Sequence, residues 1–170
     1  MNPELEKNEH YKYSSWINGN DHYNEFSTMD NLKRPHGKMP TFNNETPLEW
    51  VIRHFKEKGY GNNHCYINVG NVDSGFNYDI PYENEGERRT SPCLRGIDFK
   101  IKNNYLIMSV IFRSWDLYAG FPENMGGLTL LNEYVCDQLQ DVNPGPMAFT
   151  SAGLHAYDYQ IEPIMSILRK

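Results

Sequence analysis

The sequence predicts an α+β fold with an antiparallel component, on three observations. Apolar residues recur at helical spacing in three separated stretches, they alternate with polar residues on both sides of Asn103-Asn104, and the 170 residues suit one domain with a sizeable core. The composition shifts near residue 45. Residues 1–45 are rich in Asn, Tyr, Lys and His and form a divergent N-terminal segment, whereas residues 46–170 hold most aliphatic side chains and form the core of a single domain covering 1–170.

Thr46-Pro47-Leu48-Glu49 is a helix start with a mechanism: Thr46 caps, Pro47 takes the first helical position and Glu49 completes a capping box. Leu48, Val51, Ile52 and Phe55 follow at helical spacing, and Gly59 ends the helix. Cys65 to Val69 reads as a short strand, and the Gly, Asn, Asp and Glu-rich stretch from Gly70 to Arg89 as a long loop, a length that is often functional. Ile97, Phe99 and Ile101, then Leu106, Met108, Val110 and Phe112, alternate about the Asn-Asn turn and predict a β-hairpin ending at Arg113. Pro122 opens a helix carrying Met125, Leu128, Leu131, Val135 and Leu139. Gly126 and Gly127 within it suggest close packing against a backbone or ligand. Asn143-Pro144-Gly145-Pro146 is expected to break the chain before a strand from Met147 to His155, and Ile161, Ile164, Met165 and Leu168 mark a closing helix.

Charge narrows the function classes. Lys and Arg number 16 against 22 Asp and Glu, a net charge of -6, which argues against sequence-blind DNA binding and against binding to anionic membranes. No apolar run approaches the roughly 18 residues that would span a bilayer, and the N-terminus lacks a signal peptide's regions, so a cytoplasmic protein is expected. Three cysteines without a CxxC pair point to free thiols, with no Cys-rich metal site.

Some residue types invite chemistry. Cys93 follows Pro92 where the long loop enters a strand, with Arg88, Arg89 and Arg95 within five residues, and nearby cations favour a nucleophilic thiolate. Cys65 and Cys136 sit inside apolar elements and read as core. Arg113-Ser114 offers a planar cation beside a hydroxyl, suited either to a phosphate monoester or to pairing with Asp116 or Glu123. Asn124 carries both donors and an acceptor, as the edge of a uracil ring requires. His155 and Tyr157, at i and i+2, are expected on one face of the last strand. A Cys93/His155 hydrolase lacks an oxyanion-hole signature and leaves the Arg-Ser and Asn motifs unexplained.

The order and wording of three motifs go further. Ser91-Pro-Cys-Leu, then FRSWDLYAGFPEN from Phe112 to Asn124, then GLHAYDY from Gly153 to Tyr159 resemble the thymidylate synthase family, particularly its shorter archaeal-type and phage-type members. The resemblance covers about residues 46–170 and implies a mixed sheet packed with helices, with a sheet face buried in a homodimer. It implies reductive methylation of dUMP to dTMP with 5,10-methylenetetrahydrofolate as cofactor. It also assigns roles: Cys93 as the nucleophile on C6 of the pyrimidine, Arg113 and Ser114 on the 5'-phosphate, Asp116 in the pyrimidine pocket, Asn124 on O4 and N3–H of uracil, and His155 and Tyr157 on the deoxyribose 3'-hydroxyl. The folate is expected against the Trp115 to Phe121 segment and the C-terminal helix.

Asn124, where related cytosine-acting hydroxymethylases typically carry an acid, favours dUMP. The chain departs from the family pattern at Asn63-His64, where paired arginines that cross the dimer are expected, and in the N-terminal segment. Arg88 and Arg89 are candidates to replace those arginines. The tyrosine that serves proton abstraction at C5 has two candidate places, Tyr13 and His36. The alternative readings are a pyrimidine nucleotide hydroxymethylase and a truncated, non-catalytic nucleotide-binding fragment of the family.

Overall fold

The computed structural model describes residues 45–70 and 92–169; Tyr13, His36, Arg88, Arg89 and nearly all of the expected long loop lie outside them. Helix α1, Pro47–Lys58, starts as its sequence dictates. Thr46 Oγ1 accepts from the Glu49 N–H at 3.2 Å, and Glu49 Oε2 accepts from the Thr46 N–H at 2.8 Å. Gly59 closes the helix at a φ of 81°, its N–H donating to Phe55 O. The apolar stripe Leu48, Val51, Ile52 and Phe55 is buried.

Strands β1 (Tyr66–Asn68), β2 (Leu94–Lys102) and β3 (Tyr105–Phe112) pair antiparallel. The β2–β3 hairpin has the expected two-residue turn, with Asn103 and Asn104 both at positive φ, 52° and 63°, as a primed turn requires. Its register places Ile97 opposite Val110, Phe99 opposite Met108 and Ile101 opposite Leu106. These residues meet the stripe of α1 in one core.

After a two-residue strand β4 (Trp115–Asp116), helix α2 (Gly120–Asp137) crosses back to strand β5 (Asn143–Ser151), which pairs parallel to β3 and completes a four-stranded mixed sheet in the order β1-β2-β3-β5. Strand β6 (Leu154–His155) pairs parallel to β4, and helix α3 (Asp158–Leu168) follows. Leu128, Leu131 and Val135 of α2 join the core. Buried Asn132 is satisfied, its Nδ2 donating to Gly145 O at 3.5 Å and its Oδ1 accepting from the Cys136 thiol.

Three sequence expectations change here. The segment Asn143 to Pro146 does not break the chain but begins β5; among the described residues β5 is an edge strand, where prolines cost no ladder bond on the open side. The long strand expected up to His155 is two strands, β5 and β6, and Tyr157 lies beyond both as the N-cap of α3. Around Gly126 and Gly127 nothing among the described residues lies within 4 Å of where a Cβ would stand, so neither glycine is needed for packing within the described chain. In α3 the only buried residue is Gln160, while Ile161, Met165, Ile167 and Leu168 are exposed.

Gly145 has a clear packing reason. A Cβ there would lie 2.5 Å from Leu106 O, a backbone atom that cannot turn aside. Gly145→Ala is therefore expected to destabilise the chain by about 1–3 kcal/mol, read as a lowered thermal midpoint, whereas Gly126→Ala in open space is expected to lose nothing.

A second expectation concerns pH. His54 of α1 stacks on Trp50 and its Nε2 lies 3.4 Å from Nδ1 of His64. Partial burial, then the facing His64 and the cations Lys58 and Arg53, push its pKa below the ordinary 6.5, against an opposing pull from Glu57. The unfolded chain thus takes up the proton first, and stability falls as pH drops below 6.5 toward the lowered folded value. His54→Gln is expected to flatten the decline in melting temperature between pH 7 and about 5.5. An unchanged slope would mean that His54 does not set this pH dependence.

Candidate functional site

The sequence-predicted residues gather at one end of the sheet, because β2 begins there, β3 and β5 end there, and β4, β6 and the first turns of α2 and α3 are attached. Cys93 stands just before β2 and Arg113 just after β3. The Arg113 N–H donates to Cys93 O at 2.9 Å, and Arg113 Nε donates to Pro92 O at 3.3 Å. A β-bulge at Arg95 makes this pairing. Leu94 stands opposite Phe112 while Gly96 stands opposite Ile111; without the extra residue Leu94 would face Arg113. The bulge therefore carries Cys93 to Arg113. The Tyr66 side chain lies over Gly96 beside it, where a Cβ would have to push the exposed end of that ring aside.

Among the three free thiols, Cys93 alone is half-exposed. Burial pushes the Cys65 thiol up to about 11 against an opposing hydrogen bond to Asn62. Burial, then the charge of Asp137, pushes Cys136 up to about 11. Both stay protonated near neutral pH, as expected of core cysteines.

Ser114, His155 and Tyr157 form a second set. Ser114 Oγ and His155 Nδ1 share a hydrogen bond of 3.1 Å, and the His155 and Tyr157 rings meet edge to face with centroids 5.1 Å apart. Leu117 N–H donates to His155 O, which holds β6 against the end of β4. Among the described residues no hydrogen bond joins His155 to Cys93, so the pair that a Cys/His hydrolase needs is not formed.

Asp116 ties β4 to both neighbouring helices. Its Oδ1 accepts from the N–H groups of Tyr118 at 2.9 Å and Ala119 at 3.5 Å, and its Oδ2 accepts from Gln160 Nε2 at 3.1 Å. Partial burial works to raise this carboxyl, but the Gln160 amide and the backbone N–H groups of Tyr118, Ala119 and Gly120 outweigh it and hold the pKa below the usual value. Asn124, in the second turn of α2, accepts a hydrogen bond from the Trp115 indole Nε1–H at 2.9 Å.

One of these partners, Gln160, is not among the residues singled out in the sequence. Gln160 is buried and positions three groups at once, its Oε1 taking the Tyr157 N–H and its Nε2 serving Asp116 and Tyr159. Its signal was its place three residues after the N-cap of α3. Trp115 is also buried, 4.1 Å from Phe112 in a parallel stack and close to Phe121 and Phe149. It therefore cannot offer its face to a ligand, contrary to the expected ligand segment Trp115 to Phe121. Leu117, Tyr118 and Phe121 of that segment do reach the surface. Among the described residues no cluster of three or more His, Cys, Asp or Glu could hold a metal, and no helix is long and apolar enough to cross a membrane.

The sequence model of the family described as thymidylate synthase matches residues 79–170, more than half of the chain. The chain belongs to the thymidylate synthase family. A protein of Methanococcoides burtonii provisionally named a thymidylate synthase is 35% identical over 78 residues, which cover 46% of this chain and 36% of that protein. The thymidylate synthase of Enterobacteria phage T4 is 29% identical over 79 residues, covering 46% of this chain and 27% of the phage protein. Thymidylate synthase A of Bacillus subtilis superposes with a TM-score of 0.60 at 17% identity, over 74% of this chain and 41% of that one, and shares the fold. The matches thus span about a third of the length of these relatives.

Proposed function

We propose that this chain carries the nucleophile and nucleotide-binding part of an enzyme that reductively methylates dUMP to dTMP. The observation that supports this reading most is the gathering of Cys93, Arg113, Ser114, Asp116, Asn124, His155 and Tyr157 at one sheet end, where the one half-exposed thiol is paired in register with an arginine.

C5 of uracil is a poor nucleophile. Addition of the Cys93 thiolate to C6 moves the electron pair of the C5–C6 double bond onto C5 as an enolate, which can take up a one-carbon unit; loss of the proton from C5 and expulsion of the thiolate then restore the ring double bond. Arg113 and Ser114 hold the 5'-phosphate, His155 and Tyr157 hold the 3'-hydroxyl, and together they fix the ring over the thiol. Asn124 reads the base edge, and Asp116, held ionised, keeps the β4–α2 turn in shape beneath it. Leu117, Tyr118 and Phe121, with Ile161 and Met165 of α3, are exposed, can give apolar contact to a flat aromatic cofactor, and are the residues assigned here to 5,10-methylenetetrahydrofolate. That cofactor, when bound, supplies the one-carbon unit and the hydride. A homodimer with a sheet face buried is part of the same reading.

The test is release of tritium from dUMP labelled at C5, with and without the folate, followed by identification of the pyrimidine. Folate-dependent release with dTMP formed is expected. A hydroxymethyl product would make the chain a hydroxymethylase, and absence of release with dUMP still bound would leave nucleotide binding without turnover. Arg113→Ala is expected to weaken dUMP binding about tenfold to a hundredfold by removing a charge-assisted phosphate contact, measured by calorimetry. Unchanged affinity would remove Arg113 from the phosphate site.

A further inference from the structure

We propose that Trp115 sets the choice of pyrimidine by fixing which way round the Asn124 amide stands; this rests on the reading of Asn124 as the residue that meets the base. An Asn side chain alone does not separate uracil from cytosine. In one orientation its oxygen accepts from N3–H and its amino group donates to O4 of uracil. Turned over, the amino group donates to N3 and the oxygen accepts from the N4 amino group of cytosine. A neighbour must forbid the second orientation.

Trp115 is that neighbour. An indole N–H donates and cannot accept, and Trp115 Nε1 lies 2.9 Å from Asn124 Oδ1. Turning the amide over would set two donors against each other at a partly buried contact and leave the buried indole's N–H without a partner. The indole has no room to yield: Trp115 is 4% exposed, stacked parallel to Phe112, and flanked by Phe121 and Phe149. The bond uses one lone pair of Oδ1. The other lone pair and both Nδ2 hydrogens, which make no hydrogen bond among the described residues, remain for a ligand in the order that uracil needs. Trp115 is thus a positioning residue, acting on the base through Asn124.

The experiment is binding of dUMP and of dCMP to the full chain by calorimetry, for the wild type, Trp115→Phe and Asn124→Ala. The wild type is expected to prefer dUMP. Trp115→Phe, which keeps an aromatic ring on Phe112 but loses the N–H, is expected to hold dUMP within about threefold and to improve dCMP binding about tenfold or more. Mere loosening of the fold would weaken both nucleotides. Should Trp115→Phe not fold, benzothienylalanine at position 115, which keeps the ring size and replaces N–H by sulfur, carries the same test. A wild-type preference retained without the N–H overturns the proposal; if Asn124→Ala then removes that preference, the nucleotide reading stands without the lock. A wild type that binds neither nucleotide overturns the nucleotide reading itself, and the lock with it.

Discussion

Cys93→Ala is expected to lower dTMP formation by about 10⁴-fold or more while dUMP binding stays within a few-fold of the wild type, because the variant removes the only group that adds to C6 and leaves the phosphate, sugar and base contacts in place. Single-turnover assays and calorimetry on the same preparation read the two quantities separately. The controls lie in the same chain. Cys65 and Cys136 are buried thiols held protonated, so Cys65→Ala and Cys136→Ala are expected to cost stability and to keep turnover per folded molecule. Full activity in Cys93→Ala would overturn the nucleophile assignment.

The second large effect is on the fold. Phe99 is fully buried in the middle of β2, opposite Met108, and its N–H donates to Cys65 O of the segment leading into β1. Phe99→Ala is expected to cost about 3–5 kcal/mol, from lost burial and the cavity left in the core. For a chain of this length that lowers the melting temperature by roughly 10 °C. Ile111→Ala, on the exposed side of β3, is expected to cost less than about 1 kcal/mol. Equal losses at the two positions would mean that the sheet face bearing Ile111 is covered.

Much of this arrangement was legible because local chemistry dictates it. Thr46, Pro47 and Glu49 specify the start of α1, and Asn103-Asn104 with alternating flanks specifies the hairpin and which face of each strand is buried. What escaped depends on partners distant in the chain. Nothing local in Asn143-Pro-Gly-Pro announces a strand; it becomes one because β3 offers a partner on one side and, among the described residues, the sheet ends on the other. The apolar spacing of Ile161, Ile164, Met165 and Leu168 predicts a helix correctly but not which face is buried, since that face is held by Gln160 through Asp116.

The site was legible in the same uneven way. Hairpin register alone brings Cys93 near the end of β3, yet only the bulge at Arg95 sets it against Arg113 instead of Ser114. The motifs carried Asn124 and His155, but the groups that orient them, Trp115 and Ser114, are revealed by hydrogen bonds that no spacing rule supplies.

The most direct test of the central claim is the intact mass of the chain after incubation with 5-fluoro-dUMP and 5,10-methylenetetrahydrofolate. Fluorine at C5 cannot leave as a proton does, so a thiolate adduct at C6 formed by this chemistry persists. A folate-dependent adduct of one nucleotide per chain is predicted, located at Cys93 by peptide mapping and lost in Cys93→Ala. No adduct under conditions where dUMP binds, or an adduct carried by Cys65 or Cys136, would contradict it.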